Sequence, residues 1–373
     1  MKIVIVTQYP KQQDKPHGGV EAVSVNLVRG LSSYSDLEVH VVTFDRNETS
    51  VCLDKFENYT VHRLPRPKHS ELLNAVLYGK KRMENYVSGL KPDFIHAHDT
   101  YGMMMQDVKF PKIFTIHGFI YGDTLFSNKP FAQLRSRLWK YFETRSWSKQ
   151  PNIISISPYV RERLSGIATG SIFDIDNPIS ADFFDVTRDV HPGTIFSAAV
   201  ISPRKNTLKL IEAINLLKSQ GIETKLRLAG SVVDKDYGDI LQAYVKENSL
   251  GNDVIFLGKL SREEVKKELS HAAVFALVSL EENSPMGIEE AMAAGVPVVT
   301  SNMCGMPYMV SYDESGYLVN PSEITDISDK IKRLLDIDRN KDFSEKSKEI
   351  ARERFHPDVV TRKTLNLYRE LLS

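Results

Sequence analysis

Nothing constrains this chain more than the stretch Glu282-Asn283-Ser284-Pro285-Met286-Gly287-Ile288-Glu289-Glu290, followed at once by Ala291-Met292-Ala293-Ala294-Gly295-Val296-Pro297-Val298-Val299. The apolar run before it, Val274 to Leu280, reads as a buried strand. A helix should begin near Pro285 and stop at Gly295, and a second apolar strand follows. One carboxylate, Glu282, falls in the loop, and another, Glu290, about one turn into the helix. Carboxylates accept hydrogen bonds from hydroxyls, and a helix start offers free N–H groups to an anion. Those parts suit a polyhydroxylated, phosphate-bearing ligand. Two solvated glutamates flanking an ordinary loop would carry the same letters.

The same alternation runs from end to end. In the first half, strands are predicted at Lys2–Thr7, Glu38–Thr43, Thr60–Leu64, Phe94–Ala97, Ile113–Ile116, Ile153–Ser157 and Ile172–Ile175. Helices are predicted between them near Val20–Leu31, Glu71–Val87, Phe131–Ser148 and Pro158–Leu164. In the second half, strands at Thr194–Val200, Lys225–Ala229, Val254–Leu257, Val274–Val278, Val298–Thr300 and Tyr317–Val319 alternate with five further helices. One of these opens on Ser261-x-x-Glu264, a capping box. Strands apolar on both faces, alternating with helices, imply parallel sheets covered by helices, and two such sets imply two doubly wound α/β domains. The boundary should fall near Asn177-Pro178-Ile179-Ser180, giving domains of residues 1–178 and 179–355. The final helical pattern, from His356 to Ser373, has no strand to pair with.

Lys plus Arg equals Asp plus Glu at 48 each, so charge gives no argument for a nucleic-acid partner. Cys52 and Cys304 are far apart and have no metal or redox spacing, which fits a reduced, cytoplasmic setting. The opening apolar run is too short for a signal peptide, and no run approaches a membrane span. A soluble or at most peripheral protein is expected.

Ligands of open α/β sheets sit beyond the carboxyl ends of the strands, so the loops that follow strands matter most. After the first strand comes His17-Gly18-Gly19-Val20-Glu21, where two glycines let backbone approach a ligand. It is neither a dinucleotide fingerprint nor a Walker sequence. After the fifth strand, His117 in Thr115-Ile116-His117-Gly118 either reaches a sugar hydroxyl or leaving group, or bonds local backbone. The pair His96 and His98 suggests a metal only weakly, because spacing places no third ligand. In Ser202-Pro203-Arg204-Lys205-Asn206, two cations stand at a helix start, where the macrodipole is already positive. A diphosphate would resolve that conflict. Finally, Lys129 to Lys149 is basic and aromatic; it would suit an anionic membrane surface, but the reading preferred from sequence buries the stripe Phe131, Leu134, Leu138 and Phe142 in the core.

Together these loops resemble the retaining nucleotide-sugar glycosyltransferases of the GT-B fold, glycosyltransferase family 4. The Glu282–Glu290 spacing with the Gly295-Val296-Pro297 run behind it carries most of the likeness, and Gly18-Gly19, His117-Gly118, Asn177-Pro178 and Arg204-Lys205 fall in the family's order. The resemblance implies two Rossmann-like domains facing across a cleft, residues 1–178 on the acceptor side and 179–355 on the nucleotide-sugar donor side, with 356–373 crossing back to the first. It implies His117, Lys205 and Glu282 as catalytic groups. Donor contacts would come from Gly18, Gly19, Arg204, Lys205, Glu282, Asn283, Ser284, Pro285, Met286, Gly287 and Glu290, the last accepting from the ribose hydroxyls. It also implies transfer of a hexose-type sugar from a UDP- or GDP-linked donor without metal or other cofactor. The acceptor would be a glycan or lipid-linked molecule, with peripheral membrane contact and a role in surface polysaccharide synthesis. A non-catalytic sugar-nucleotide-binding partner and a nucleotide-sugar epimerase remain as alternatives. The chain departs from the family at Ala199-Val200-Ile201, where Gly-Arg-Leu is usual, at Asn283-Ser284-Pro285, where Gly-Phe-Gly is usual, and at Tyr308, where glutamate is common.

Overall fold

The computed structural model describes residues 1–125 and 130–373, apart from the side chain of residue 337. It divides into two compact units, Met1–Pro178 with Pro357–Ser373, and Ile179–His356.

The first unit is an eight-stranded sheet made of β1 (Lys2–Val6), β2 (Glu38–Asp45), β3 (Cys52–Lys55), β4 (Tyr59–Pro65), β5 (Phe94–His98), β6 (Lys112–Ile116), β7 (Asn152–Ser155) and β8 (Ser171–Asp174). Its order is β3-β4-β2-β1-β5-β6-β7-β8, parallel except for the β3/β4 pair. The chain runs outward from β1 in both directions, so the sheet reverses between β1 and β5. Helices α1 (Gly19–Ser32), α2 (Glu71–Val76), α3 (Tyr78–Gly89), α4 (Thr100–Met105), α5 (Ile120–Leu125), α6 (Ala132–Trp147) and α7 (Pro158–Leu164) connect the strands. Strands β5 and β6 are buried at every position, as two-sided cover demands.

The second unit is a six-stranded, all-parallel sheet of β9 (Thr194–Ala198), β10 (Lys225–Ala229), β11 (Val254–Gly258), β12 (Val274–Leu277), β13 (Val298–Ser301) and β14 (Gly316–Val319), in the order β11-β10-β9-β12-β13-β14. It reverses between β9 and β12. Its helices are α8 (Thr207–Ser219), α9 (Lys235–Glu247), α10 (Arg262–His271), α11 (Met286–Ala293), α12 (Ile324–Leu334) and α13 (Ile337–Arg354). The capping box forms at the start of α10: the Glu264 amide donates to Ser261 Oγ, and the Ser261 amide donates to Glu264 Oε2 at 2.7 Å.

Several local readings differ from the sequence expectation: α4 and α5, each of six residues, were not expected. The single helix expected over Glu71–Val87 is broken at Leu77, whose φ of −138° is not helical, giving α2 and α3. Strand β3 was not expected; it is a short, half-exposed edge strand pairing antiparallel to β4. Helix α13 was also missed, being long and charged with a weak apolar pattern.

The last helix, α14 (Pro357–Leu372), belongs to the first unit. Val360, Leu365, Leu367 and Tyr368 join a core with Val28 and Leu31 of α1 and Ile3 and Ile5 of β1. It packs so closely that a Cβ on Gly30 would lie 2.0 Å from Thr361 Oγ1. One polar bond is locked inside: Tyr368 Oη lies 2.5 Å from His96 Nδ1, both residues buried. Replacing Tyr368 with Phe would strand that ring nitrogen at a cost of ~1–3 kcal/mol. The expected result is a lowered midpoint in thermal unfolding; an unchanged midpoint would mean that the apolar face alone holds α14.

Candidate functional site

The second unit reverses direction between β9 and β12, so the loops leaving those two strands lie side by side beyond the sheet's carboxyl edge. The β9 loop turns through a short 3₁₀ segment, Pro203–Lys205, and enters α8 after Asn206, held at φ 57°. Asn206 fixes this turn by donating its side-chain amide to Val278 O (3.1 Å) and Pro321 O (2.8 Å). The β12 loop answers directly: the Leu280 amide donates to Arg204 O at 2.9 Å.

On this frame Arg204 and Lys205 converge on one carboxylate. Arg204 Nη1 donates to Glu282 Oε1 at 3.1 Å and to Glu281 O at 2.6 Å, and Lys205 Nζ makes a close ion pair with the same Glu282 oxygen. The sequence argument that two cations here demand an external anion is corrected in part, because Glu282 supplies one. The two cations stand side by side at the end of the β9 loop, where a further anion can share their donors.

Asn283, Ser284 and Pro285 carry the chain from Glu282 into α11. The turn is braced by Gly305, whose amide donates to Glu282 O at 2.8 Å. A Cβ on Gly305 would stand 1.8 Å from Asn283 O, so only glycine fits. Met286 opens α11, with Pro285 at its N-cap and no side chain capping it. Gly287 brings the helix against the end of β9, where a Cβ would lie 3.0 Å from Ala198 O. The helix stops at Gly295, φ +74°, with Val296 N bonded to Ala291 O and Gly295 N to Met292 O, the double bond of a Schellman cap.

Adjacent glutamates on α11 have opposite fates. Glu289 is fully buried and accepts from Ser284 Oγ at 2.6 Å, which ties the loop to the helix. Nothing in the sequence separated this anchoring role from that of its neighbour. Glu290 is half-buried, and its carboxyl is pushed up to about 8, chiefly by desolvation and further by nearby Asp182, with Arg262 opposing.

The first unit carries the other predicted groups. Gly18 caps α1 with extended backbone at φ −169°, and Gly19 is the helix's first residue. A Cβ on Gly18 would touch nothing within 4 Å, so the protein's own packing does not require glycine there. The loop's start is fixed by buried Arg63, which donates to Tyr9 O (3.1 Å) and Pro10 O (2.8 Å) and pairs with Asp54 at 2.6 Å. His117 follows β6. Its Nε2 lies 2.8 Å from His98 Nδ1, its amide donates to Asp99 Oδ1 at 2.8 Å, and its ring also bonds the Asn177 side chain. Desolvation lowers the pKa values of His117, His98 and His96, the last to about 3. These rings are therefore neutral near neutral pH, which suits His117 to hydrogen bonding rather than to delivering a proton. Sequence reading missed Asn177, Asp99 and Arg63 as positioning residues, since each acts through partners far away in sequence.

Two further groups lie elsewhere. Asp189, His191 and His271 have ligand atoms within 4.8 Å of one another, the one such trio among the described residues. They precede β9 and β12, at the amino edge of the second sheet, opposite Glu282. Helix α6 overturns most of the core-facing stripe: Phe131, Leu134 and Leu138 are exposed, Phe142 packs against the core, and the buried face is Ser136, Trp139, Glu143, Ser146 and Trp147. Lys129, the first residue of that basic segment, lies outside the described residues. No helix among the described residues is long and apolar enough to cross a membrane.

Comparison with known proteins agrees with this geometry. The family pattern described as Glycosyltransferase Family 4 matches residues 17–182, and that described as Glycosyl transferases group 1 matches residues 179–354. The chain is 26% identical over 346 residues to an uncharacterized glycosyltransferase of Methanocaldococcus jannaschii, covering 90% of each. It is 29% identical over 175 residues to O-antigen chain mannosyltransferase B of Escherichia coli, covering 46% of this chain and 44% of that one. Among solved structures, Anabaena HepE in complex with UDP and glucose superposes with a TM-score of 0.72 at 18% identity, covering 99% of both chains.

The raised Glu290 carboxyl has a consequence for stability. Between its ordinary value of 4.5 and about 8, the folded chain holds a proton that the unfolded chain has lost. That contribution is present in full below the lower value and fades as pH rises through the upper one. Glu290→Gln should therefore gain in melting temperature relative to the parent as pH is raised from 4.5 to 8. A constant difference across that range would exclude the assignment. The matched patterns, the reversed parallel sheets and the paired glutamates together place this chain among the GT-B glycosyltransferases of family 4, a group 1 type related to enzymes of polysaccharide synthesis.

Proposed function

We propose that the chain transfers a hexose-type sugar, with retention of configuration, from a UDP- or GDP-linked donor to a glycan or lipid-linked acceptor in surface polysaccharide or glycoconjugate synthesis. It would work at the cytoplasmic face of a membrane, in peripheral contact with it. The observation that carries the reading is the convergence of Arg204 and Lys205 on Glu282 beside the uncapped start of α11. Breaking the anomeric C–O bond leaves a nucleoside diphosphate whose negative charge grows as the bond lengthens. Arg204 and Lys205 supply positive charge at a fixed place, and the α11 amides add hydrogen-bond donors. This is a route to leaving-group stabilisation built from protein cations, without metal. As diphosphate charge develops, the cations shift their interaction towards it, and the Glu282 carboxylate turns to donor-sugar hydroxyls. Glu290 accepts from the ribose hydroxyls, which are donors enough to draw its proton off. Asn283, Ser284, Pro285, Met286 and Gly287 shape the sugar's edge of the site through backbone and short side chains. His117 offers a neutral imidazole to a hydroxyl, and Gly18 with Gly19 offer bare backbone to a phosphate.

The test is incubation with a panel of UDP- and GDP-sugars and glycan or lipid acceptor fractions. The expected outcome is release of nucleoside diphosphate with growth of the acceptor by one hexose mass. Lys205→Ala should lower turnover by about 10²–10³-fold with donor affinity less affected, as for a lost oxyanion donor. Near-normal turnover in that variant would remove Lys205 from the reaction, and an isomer of unchanged mass in place of released diphosphate would mark an epimerase.

A further inference from the structure

At the amino edge of the second sheet, Asp189 Oδ2 lies 3.8 Å from His191 Nε2 and 3.8 Å from His271 Nε2. The two rings are stacked, their centroids 4.2 Å apart and their planes at 9°. At 3.8 Å neither contact is a hydrogen bond, so two ring nitrogens and a carboxylate oxygen face a common gap. A histidine pair beside an acid in the first unit is arranged otherwise. His40 meets Glu38 through Nε2 and His62 through Nδ1, both at 2.9 Å, so its nitrogens point apart and each is already taken.

The trio stands on fixed backbone. Residues 188–191 close the carboxyl end of α10 carbonyl by carbonyl. Arg188 donates to Leu269 O at 3.3 Å and to Ala272 O at 2.6 Å, the Asp189 amide to Ser270 O at 2.9 Å, and the His191 amide to His271 O at 2.9 Å. These are the carbonyls that a helix end leaves without partners of its own. Asp189 and His191 are two apart, and in an extended segment residues so spaced point to one side. Neither ligand-bearing segment has slack. His191 is followed within a short turn by β9 and His271 by β12, and those strands pair at Ile195 and Val274. The turn at Gly193 has φ +76°, and a Cβ there would lie 2.6 Å from Glu223 O. The three ligand-bearing positions are thus held by the sheet and the helix end, and only their side chains are left to move.

We propose that Asp189, His191 and His271 together bind one divalent transition-metal ion of the zinc class. Imidazole nitrogen suits zinc and its neighbours in the first row, whereas magnesium and calcium prefer oxygen. Ligand atoms around a tetrahedral zinc ion stand about 3.3 Å apart, so the 3.8 Å separations have to shorten by about half an ångström and the rings have to tilt out of parallel. Asp189 and His191 are exposed and His271 is half-buried, so their side-chain torsions permit this. Water fills the fourth position from the solvent side. A cavity of about 930 Å³ adjoins both histidines, and among the described residues its carboxylates Glu223, Asp253, Glu264 and Glu268 outnumber its three lysines and arginines, which favours a cation over an anion. The ion clips the segment before β9 to the end of α10, at the opposite edge of the sheet from Glu282. It takes no part in sugar transfer, so the proposal stands or falls independently of the transferase reading.

The full chain, without an affinity tag and stripped of metal by a chelator, is titrated calorimetrically with zinc chloride at neutral pH. One equivalent should bind, and the melting temperature should rise with zinc concentration, as for a ligand that binds the native state alone. Cobalt chloride should give the visible absorption of a four- or five-coordinate ion, and magnesium chloride should not bind. Asp189→Asn and His191→Gln should each weaken zinc tenfold or more and remove the zinc-dependent rise in melting temperature. Both side chains are exposed, so the metal-free melting temperature of these variants should match the parent's and show that they fold. His40→Gln, which alters the first unit's histidine pair, should leave zinc affinity unchanged. Absence of a saturable equivalent, parental zinc affinity in the Asp189 and His191 variants, its loss in a folded His40→Gln, or magnesium binding as tight as zinc would each overturn the proposal.

Discussion

Two cations and one carboxylate meet where the second sheet changes direction, and much of the candidate site is arranged around that meeting. Arg204 and Lys205 leave β9, Glu282 leaves β12, and these strands are neighbours only because the chain reverses between them. A mixed-sign triad of this kind holds its shape before a ligand arrives, at the cost of desolvating charge that must stay paired. The backbone makes the meeting rigid through the Leu280–Arg204 bond, the Gly305–Glu282 bond and the Asn206 amide bridging two carbonyls. With Glu282 held against both cations, neither side chain is left to wander.

The first unit solves a different problem, using neutral groups where the second uses ions. Its three central histidines sit in a chain of rings, His96 against Tyr368 and Thr115, His98 against His117, each bonded rather than charged. Desolvation keeps them neutral, so they can order loops after β5 and β6 without the cost of a buried cation. The C-terminal helix is part of this order, since its Tyr368 closes the row of rings from behind. A segment that has no strand of its own thereby becomes a wall of the first core, which explains why its pattern looked isolated in sequence.

Most of the architecture was legible because it depends on period and punctuation. Two-sided apolar runs marked the parallel strands, Gly295 marked the end of α11, and Ser261 with Glu264 marked the start of α10. The Glu282–Glu290 spacing was legible too, since its strand–loop–helix context is local. What stayed hidden depends on partners remote in the chain. Glu289 and Glu290 look alike in sequence, and although Ser284, which bonds Glu289, is near in the chain, no local letter tells which of the two turns inward. Arg63, a buried arginine in a strand, takes its meaning from carbonyls more than fifty residues earlier. The conflict of two cations at a helix start was read as a demand for a ligand, because nothing local showed that Glu282 would reach them.

Helix α6 shows how one buried polar group can decide what a surface presents. By apolar count alone, Phe131, Leu134, Leu138 and Phe142 form the obvious inner stripe. The helix is turned instead so that Trp139 and Trp147 pack inside, with Glu143 between them accepting from the amides of Ile120 and Tyr121 at 3.0 and 2.9 Å. Those amides open α5 and would otherwise be buried without partners, at a cost of ~1–3 kcal/mol each. Burial pushes the Glu143 carboxyl up to about 8, and the two amide bonds pull against that rise. Two indoles and two satisfied amides outweigh the smaller gain from burying leucines, which fixes the rotation of the helix. Once the rotation is fixed, the leucines must face outward, and their exposure follows from the needs of α5 rather than from a defect of packing.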